Sequence, residues 1–151
     1  MAEDLQVTID KFTFRVAKDR LYTADGVWVL SPSQGSHRVR LGVTDFLQQH
    51  NGDVAFVNVK PPGTALKAGD EFAELETMKV NVSLPSPVTG SVVEINKVLA
   101  VTPEVINQDP YEKGWLALVE VTDWEADRAK LLEPSAYLAA MQSQAEQELK
   151  S

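Results

Sequence analysis

The chain has 151 residues, 44% of them hydrophobic and 24% charged, with a formal net charge of −8. That is the mix of one soluble globular domain, and its acidic balance argues against nucleic acid, whose phosphates call for basic patches. With no cysteine, disulfides, thiolate nucleophiles and Cys-based metal sites are excluded. No apolar run approaches the roughly 18 residues of a membrane span. Met1-Ala2-Glu3-Asp4 has no apolar core behind it, so no secretory signal is expected and the cytoplasm is the expected location.

Residues 1–19 read as an N-terminal tail that includes a first strand, Phe12–Val16, with alternating apolar positions. Val27–Leu30 and Val39–Val43 read as a hairpin around the Pro- and Gly-containing turn Ser31–Ser36. Thr44-Asp45 offers a helix N-cap for Phe46–His50, which Asn51-Gly52 ends. Val54–Val59 reads as a buried strand closed by Pro61-Pro62-Gly63. Further strands are expected at Glu71–Leu75, Val80–Leu84, Gly90–Ile95 and Trp115–Val121. Many short strands with frequent turn signals predict a mainly β sandwich or barrel. Trp28, Trp115 and Phe56 are expected in its core.

Beyond Val121 the period changes. Asp123 can cap a helix over Trp124–Leu132, Pro134 breaks it, and Ser135 caps a second helix over Ala136–Met141. Residues 142–151 read as a polar tail. Tyr137, Leu138 and Met141 share helical spacing and are expected to be core contacts. His37 and His50 lie in polar, loop-like context without metal-pair spacing and are expected at the surface.

The segment Glu76-Thr77-Met78-Lys79-Val80 carries the chemistry. Gly63 lies sixteen residues before Lys79 and Gly90 eleven after it, and two apolar strands flank the lysine. This arrangement predicts a hairpin with Lys79 at its tip, an exposed amine on a rigid support. Such an amine is suited to acylation by a cofactor that then swings between partners. Met78 and Val80 would form an apolar skirt, and Glu74 and Glu76 an acidic flank for a basic modifying enzyme. Gly63, Gly69 and Gly90 are candidates for backbone geometry that needs φ > 0 or close approach. Pro62–Asp70 and Pro87–Val92 open the two arms in a loosely repeated way, which would place the tip on the far side from the termini.

These residues resemble the biotinyl/lipoyl attachment domain, whose lysine carries either cofactor. Met78 precedes the lysine as in biotin carriers. Val80 follows it, and Glu76 stands three before it as in lipoyl carriers. Val93-Glu94-Ile95-Asn96 and Thr102–Trp115, with its Asp109-Pro110-Tyr111 and Gly114-Trp115, resemble the glycine cleavage H-protein family. So do Gly42–Asp45 and Gly52–Val57. The resemblance covers about residues 22–141, within a unit at 20–141. It implies a barrel-sandwich hybrid with C-terminal helices, a lipoyl group on Lys79 and a non-catalytic carrier role.

The resemblance also implies partners: a lipoate ligase or lipoyl transferase, dihydrolipoamide dehydrogenase, glycine decarboxylase and aminomethyltransferase. One departure bears on the cargo. The family's His-Glu-Trp run, whose glutamate helps hold the aminomethyl group, is replaced by Gly26-Val27-Trp28. Asp25 and Asp45 are the candidate substitutes. The tip itself departs, with Thr77-Met78-Lys79-Val80 in place of Ser-Val-Lys-Ala. A related group of lipoate-binding proteins works beside a heterodisulfide-reductase-like complex in bacterial sulfur oxidation, and that cargo needs no such glutamate. A biotin carrier feeding a carboxylase is the alternative class.

Overall fold

The computed structural model describes residues 4–150. The N-terminal segment is a hairpin of β1 (Asp4–Ile9) and β2 (Phe12–Ala17), turned at Asp10 with φ 58. The tail reading thus missed a strand. Leu5, Val7 and Ile9 form one apolar face of β1, but the element they cover comes from the far end of the chain, so no local pattern announced the contact.

Next come β3 (Leu21–Tyr22), β4 (Val27–Leu30) and β5 (Arg38–Val43), then helix α1 (Asp45–Asn51) and β6 (Val54–Val59). β7 (Ala65–Leu66), β8 (Glu71–Thr77), β9 (Asn81–Pro85) and β10 (Gly90–Ile95) follow. A 3-10 turn (Lys97–Ala100) and α2 (Val105–Gln108) lead to β11 (Ala117–Val121), α3 (Trp124–Arg128) and α4 (Pro134–Lys150). Six strands in the order β3-β4-β5-β11-β10-β7 make one sheet and β6-β8-β9 another. Their inner faces supply the main core, including Val29, Leu41, Phe72, Leu75, Leu84 and Val119. Alternation along β8 explains the partition: Leu75 is fully buried while Glu74 and Glu76 lie at the surface side.

A second apolar cluster joins the N-terminal hairpin, α1, α4 and the loop after α2. Trp28 sits at its centre. The indole N–H donates to the Pro110 carbonyl (3.0 Å), and the Arg20 guanidinium stacks on the ring at 4.6 Å while also facing Tyr111. Gly42 makes room, because a Cβ there would collide with the indole. Tyr22 stacks on Tyr137 at 4.7 Å, and the Tyr137 hydroxyl pairs with Thr44 Oγ1 at 2.8 Å.

Several sequence expectations are corrected. Phe56 is not a core residue: it is 65% exposed, because its register opposite Glu76 puts it on the outer face of β6, while neighbouring Val57 packs toward the core. Trp115 precedes β11 and is half-buried, with Arg40 over its ring at 4.7 Å. Val80 belongs to the turn, not to β9. α3 ends at Arg128, and Leu132 instead exchanges backbone hydrogen bonds with Tyr22. Pro134 opens α4 instead of only stopping α3, a position where its missing N–H costs nothing. The helix does not end at Met141: it continues to Lys150, and Ala145 is buried.

Gly90→Ala should destabilise the fold by about 1–3 kcal/mol, because the new Cβ would press on the Glu120 carbonyl of β11, which is backbone and cannot swing aside. Urea unfolding followed by tryptophan fluorescence measures this. Burial raises the hydroxyl pKa of Tyr22, Tyr111 and Tyr137, the last from 10.0 to about 12. The unfolded chain then ionises first, so stability present below pH 10 should be lost as pH rises through 12. An unfolding midpoint unchanged between pH 9 and about 12 would contradict this assignment.

Candidate functional site

The β8–β9 hairpin is closed by one side chain. Thr77 Oγ1 accepts from the backbone N–H groups of Lys79 (3.2 Å) and Val80 (3.1 Å) and donates to the Val80 carbonyl (2.9 Å). The Thr77 N–H also donates to that carbonyl at 2.9 Å. A hydroxyl that satisfies the turn's own backbone is a local device that holds the tip rigid without tertiary support. Below it, Glu76 pairs with Asn81 and Leu75 with Val82, so the strands fix the register. Met78 is 82% exposed and Val80 is exposed beside it. Lys79 is exposed at the apex, and among the described residues its Nζ has no ion pair or hydrogen bond.

The tip leans on the end of α1. Among the described residues, Lys79 Cε is the one neighbour that a Cβ on Gly52 would meet within 4 Å, at 3.9 Å, and Gly52 caps α1 with φ +86. Asn107 of α2 holds this corner. Its Oδ1 accepts from the Val54 N–H (2.9 Å), and its Nδ2 donates to the Gly52 carbonyl (3.0 Å) and to Gln48 Oε1 (3.1 Å). One amide thus ties the start of β6, the end of α1 and the floor under Lys79 together. The segment Thr102–Trp115 singled out in the sequence contains it, but its role depends on contacts across more than fifty residues.

Contrary to the expectation from the loose repeat, which put the tip on the far side from the termini, the N-terminal hairpin and the last turns of α4 lie beside it. Lys79 borders a groove of about 350 Å³ whose other walls include Phe12 and Phe14 of β2 and Ala145 and Glu148 of α4. His50 lines the same groove. Its ring stacks on Phe46 at 5.5 Å and its Nδ1 lies 2.8 Å from Glu148 Oε2. His37 is exposed. A second cavity, of about 240 Å³, lies nearby and takes in Asp25, Gly26, His50, Asn51, Val82 and Gln144.

The remaining sequence candidates fall as follows. Gly63 (φ +92) and Gly69 (φ +99) sit in loops leading into β7 and β8, and Gly90 pairs with Leu66; none belongs to the tip turn itself. Glu74 and Glu76 stand half-buried on the outer face of β8, the latter between Phe56 and Asn81. Val27 is fully buried in the main core opposite Val43. Asp45 is also buried, and its carboxylate accepts from the Arg15 N–H (2.9 Å) and from the Gln48 (2.8 Å) and Gln49 (3.1 Å) side-chain amides. Asp25 alone of the two substitutes is exposed, on the rim of the second cavity. The residues present fit covalent attachment of an acyl cofactor: an exposed amine on a rigid apex, with no counter-ion among the described residues.

Comparison with known proteins agrees with this geometry. Residues 20–144 match the family described as glycine cleavage H-protein. The chain is 41% identical over 122 residues to a glycine cleavage system H protein of Chlorobium limicola, covering 81% of this chain and 94% of that one. It is 39% identical to one from Oceanobacillus iheyensis, over 83% of this chain and 96% of the relative. A crystal structure of a glycine cleavage system H protein from Mycobacterium marinum superposes with a TM-score of 0.70 at 32% identity, over 81% of this chain and 95% of that one. The fold is accordingly the barrel-sandwich hybrid expected from the sequence. With the two sheets, the apical lysine and the family match in agreement, the chain belongs to the glycine cleavage H-protein family.

Proposed function

We propose that this protein is a lipoyl carrier, acylated on Lys79, that serves the glycine cleavage reaction as a non-catalytic component. The observation that carries the reading is the lone, exposed Lys79 amine on the Thr77-braced apex. Once bound, a lipoyl group supplies a disulfide that opens to two thiols, one of which holds the intermediate. The chain's own residues present the amine, fix its direction and offer recognition surface. Met78 and Val80 give an apolar collar to a partner that must close over the arm. Glu74 and Glu76 give a ligase or transferase an acidic edge. The partners are then glycine decarboxylase, aminomethyltransferase and dihydrolipoamide dehydrogenase. The acidic surface favours encounter with basic clefts, and the expected location is the cytoplasm.

A second cargo is favoured by one observation. The position that would hold a cationic amine is Val27, fully buried, and the carboxylate of Asp45 is already engaged by three N–H donors. A sulfur-bearing arm serving a heterodisulfide-reductase-like complex has no need of either.

Purified from its native host, the protein should carry a lipoyl adduct at Lys79 by peptide mass spectrometry. Lys79→Arg should abolish the adduct and change stability by less than about 0.5 kcal/mol, since the side chain holds nothing in place. A biotinyl mass would establish the carboxylase alternative, and an adduct surviving in Lys79→Arg would move the site. Mixed with glycine decarboxylase, the lipoylated protein should support glycine-dependent release of carbon dioxide. Failure of that assay, with release restored by an H protein from Chlorobium limicola, would favour the sulfur cargo.

A further inference from the structure

Six large apolar side chains are exposed among the described residues, and three of them, Phe56, Met78 and Val80, belong to β6 and the adjoining tip. Phe56 stands on the outer face of the β6-β8-β9 sheet, directly opposite Glu76, and Glu76 is in turn opposite Asn81 of β9. The next outward row is Asn58, Glu74 and Ser83. One phenylalanine ring and two carboxylates thus dominate a face of otherwise small polar groups. The chain does not neutralise those carboxylates: among the described residues neither Glu74 nor Glu76 has a hydrogen bond or ion pair. Glu71, at the start of the same strand, differs, with Lys60 at 3.6 Å and the Ser83 hydroxyl donating to it at 2.6 Å.

We infer that this outer face is where the enzyme that acylates Lys79 docks, taking the Phe56 ring in an apolar recess and setting cationic side chains against Glu74 and Glu76. The inference rests on the lipoyl-carrier reading above. Three observations select that occupant. The first is charge: half-buried carboxylates without a counter-ion gain most from a cationic surface, and an uncovered aromatic ring beside them is the residue type that anchors interface centres.

The second is reach. Acylation joins Nζ to the carbonyl carbon of an activated acyl donor, as the donor's leaving-group bond breaks and the amine releases a proton to solvent. Forming that bond brings the enzyme into contact with the turn itself, and Phe56 and Glu76 are the first outward-facing pair below the turn. Enzymes that act later meet the far end of the acylated arm and have no need to touch the sheet. The third is access. The groove beside Lys79 is walled by the chain's own Phe12, Phe14, Ala145 and Glu148, and no residue of the sheet's outer face lines it. The sheet face therefore offers an approach to the amine that those walls do not obstruct.

Unacylated protein, mixed with the lipoate ligase of its native host, ATP and lipoic acid, tests this by the rate at which intact mass rises. Phe56→Ser should lower kcat/KM roughly tenfold or more, chiefly through KM. Phe56→Tyr should stay within about twofold of the unaltered protein. Phe12→Ser, which changes an exposed aromatic residue on the groove side, should leave the rate unchanged. Added salt should slow the unaltered protein, and Glu74→Gln with Glu76→Gln should remove most of that dependence. Unfolding midpoints should match across the set, since these side chains support no core. Phe56→Ser acylated at the full rate, or Phe12→Ser slowed as much, would overturn the docking face and leave the carrier reading intact. Full-rate acylation of Phe56→Ser followed by lost turnover with glycine decarboxylase would assign the face to a later partner and also overturn it. Absence of any adduct on Lys79 of the unaltered protein would remove both readings together.

Discussion

The indole of Trp28 is the joint on which the two halves of this molecule depend. One edge rests in the space left by Gly42, its N–H reaches the Pro110 carbonyl, and its face carries Arg20. Arg20 is nearly buried and donates to the Tyr111 carbonyl at 2.6 Å, while Asp19 holds its Nε at 2.8 Å. A buried cation is tolerable only when its donors are satisfied and its face is covered. That requirement sets where the Asp109-Pro110-Tyr111 turn sits. Tyr111 in turn donates to the Arg15 carbonyl at 2.7 Å, fastening the N-terminal hairpin to the sheet. From this joint outward, α1, α4 and the hairpin acquire a common cluster.

The lysine-bearing tip is built in a different way. Its geometry is local: Thr77 satisfies the backbone of its own turn, so the apex keeps its shape while projecting into solvent. Its placement is not local. Asn107, more than fifty residues away, positions the Gly52 floor, and the flanking segments supply the nearby aromatic wall. The separation suits a carrier. A self-contained apex keeps its shape whatever its surroundings, so those surroundings can vary without altering the turn.

Val27 is settled by packing alone. Val27 packs into the main core opposite Val43 as any β-branched strand residue would. Its side chain faces the interior between the sheets and presents no polar group to the groove beside Lys79. Asp45 is likewise spent on structure: its oxygens accept from three N–H donors that anchor α1 and β2.

Much of this was legible in the residues themselves. Alternation read β8 and the central strands, Thr44 announced α1, and the glutamate-flanked lysine between two strands marked the apex. These signals are local, and hydrogen-bond satisfaction and side-chain periodicity write them directly into the chain. Phe56 failed because alternation tells which residues share a face but not which face meets the core. β1 and the second half of α4 were missed because the apolar side of each is covered by a segment from the opposite end of the chain. The sequence by itself determined the strand pattern, the capped helix and the lysine at the hairpin apex. The tertiary structure alone decided that the N-terminal hairpin and the last turns of α4 converge on that lysine, because burial of a shared aromatic cluster is a bargain between segments that no local stretch can state.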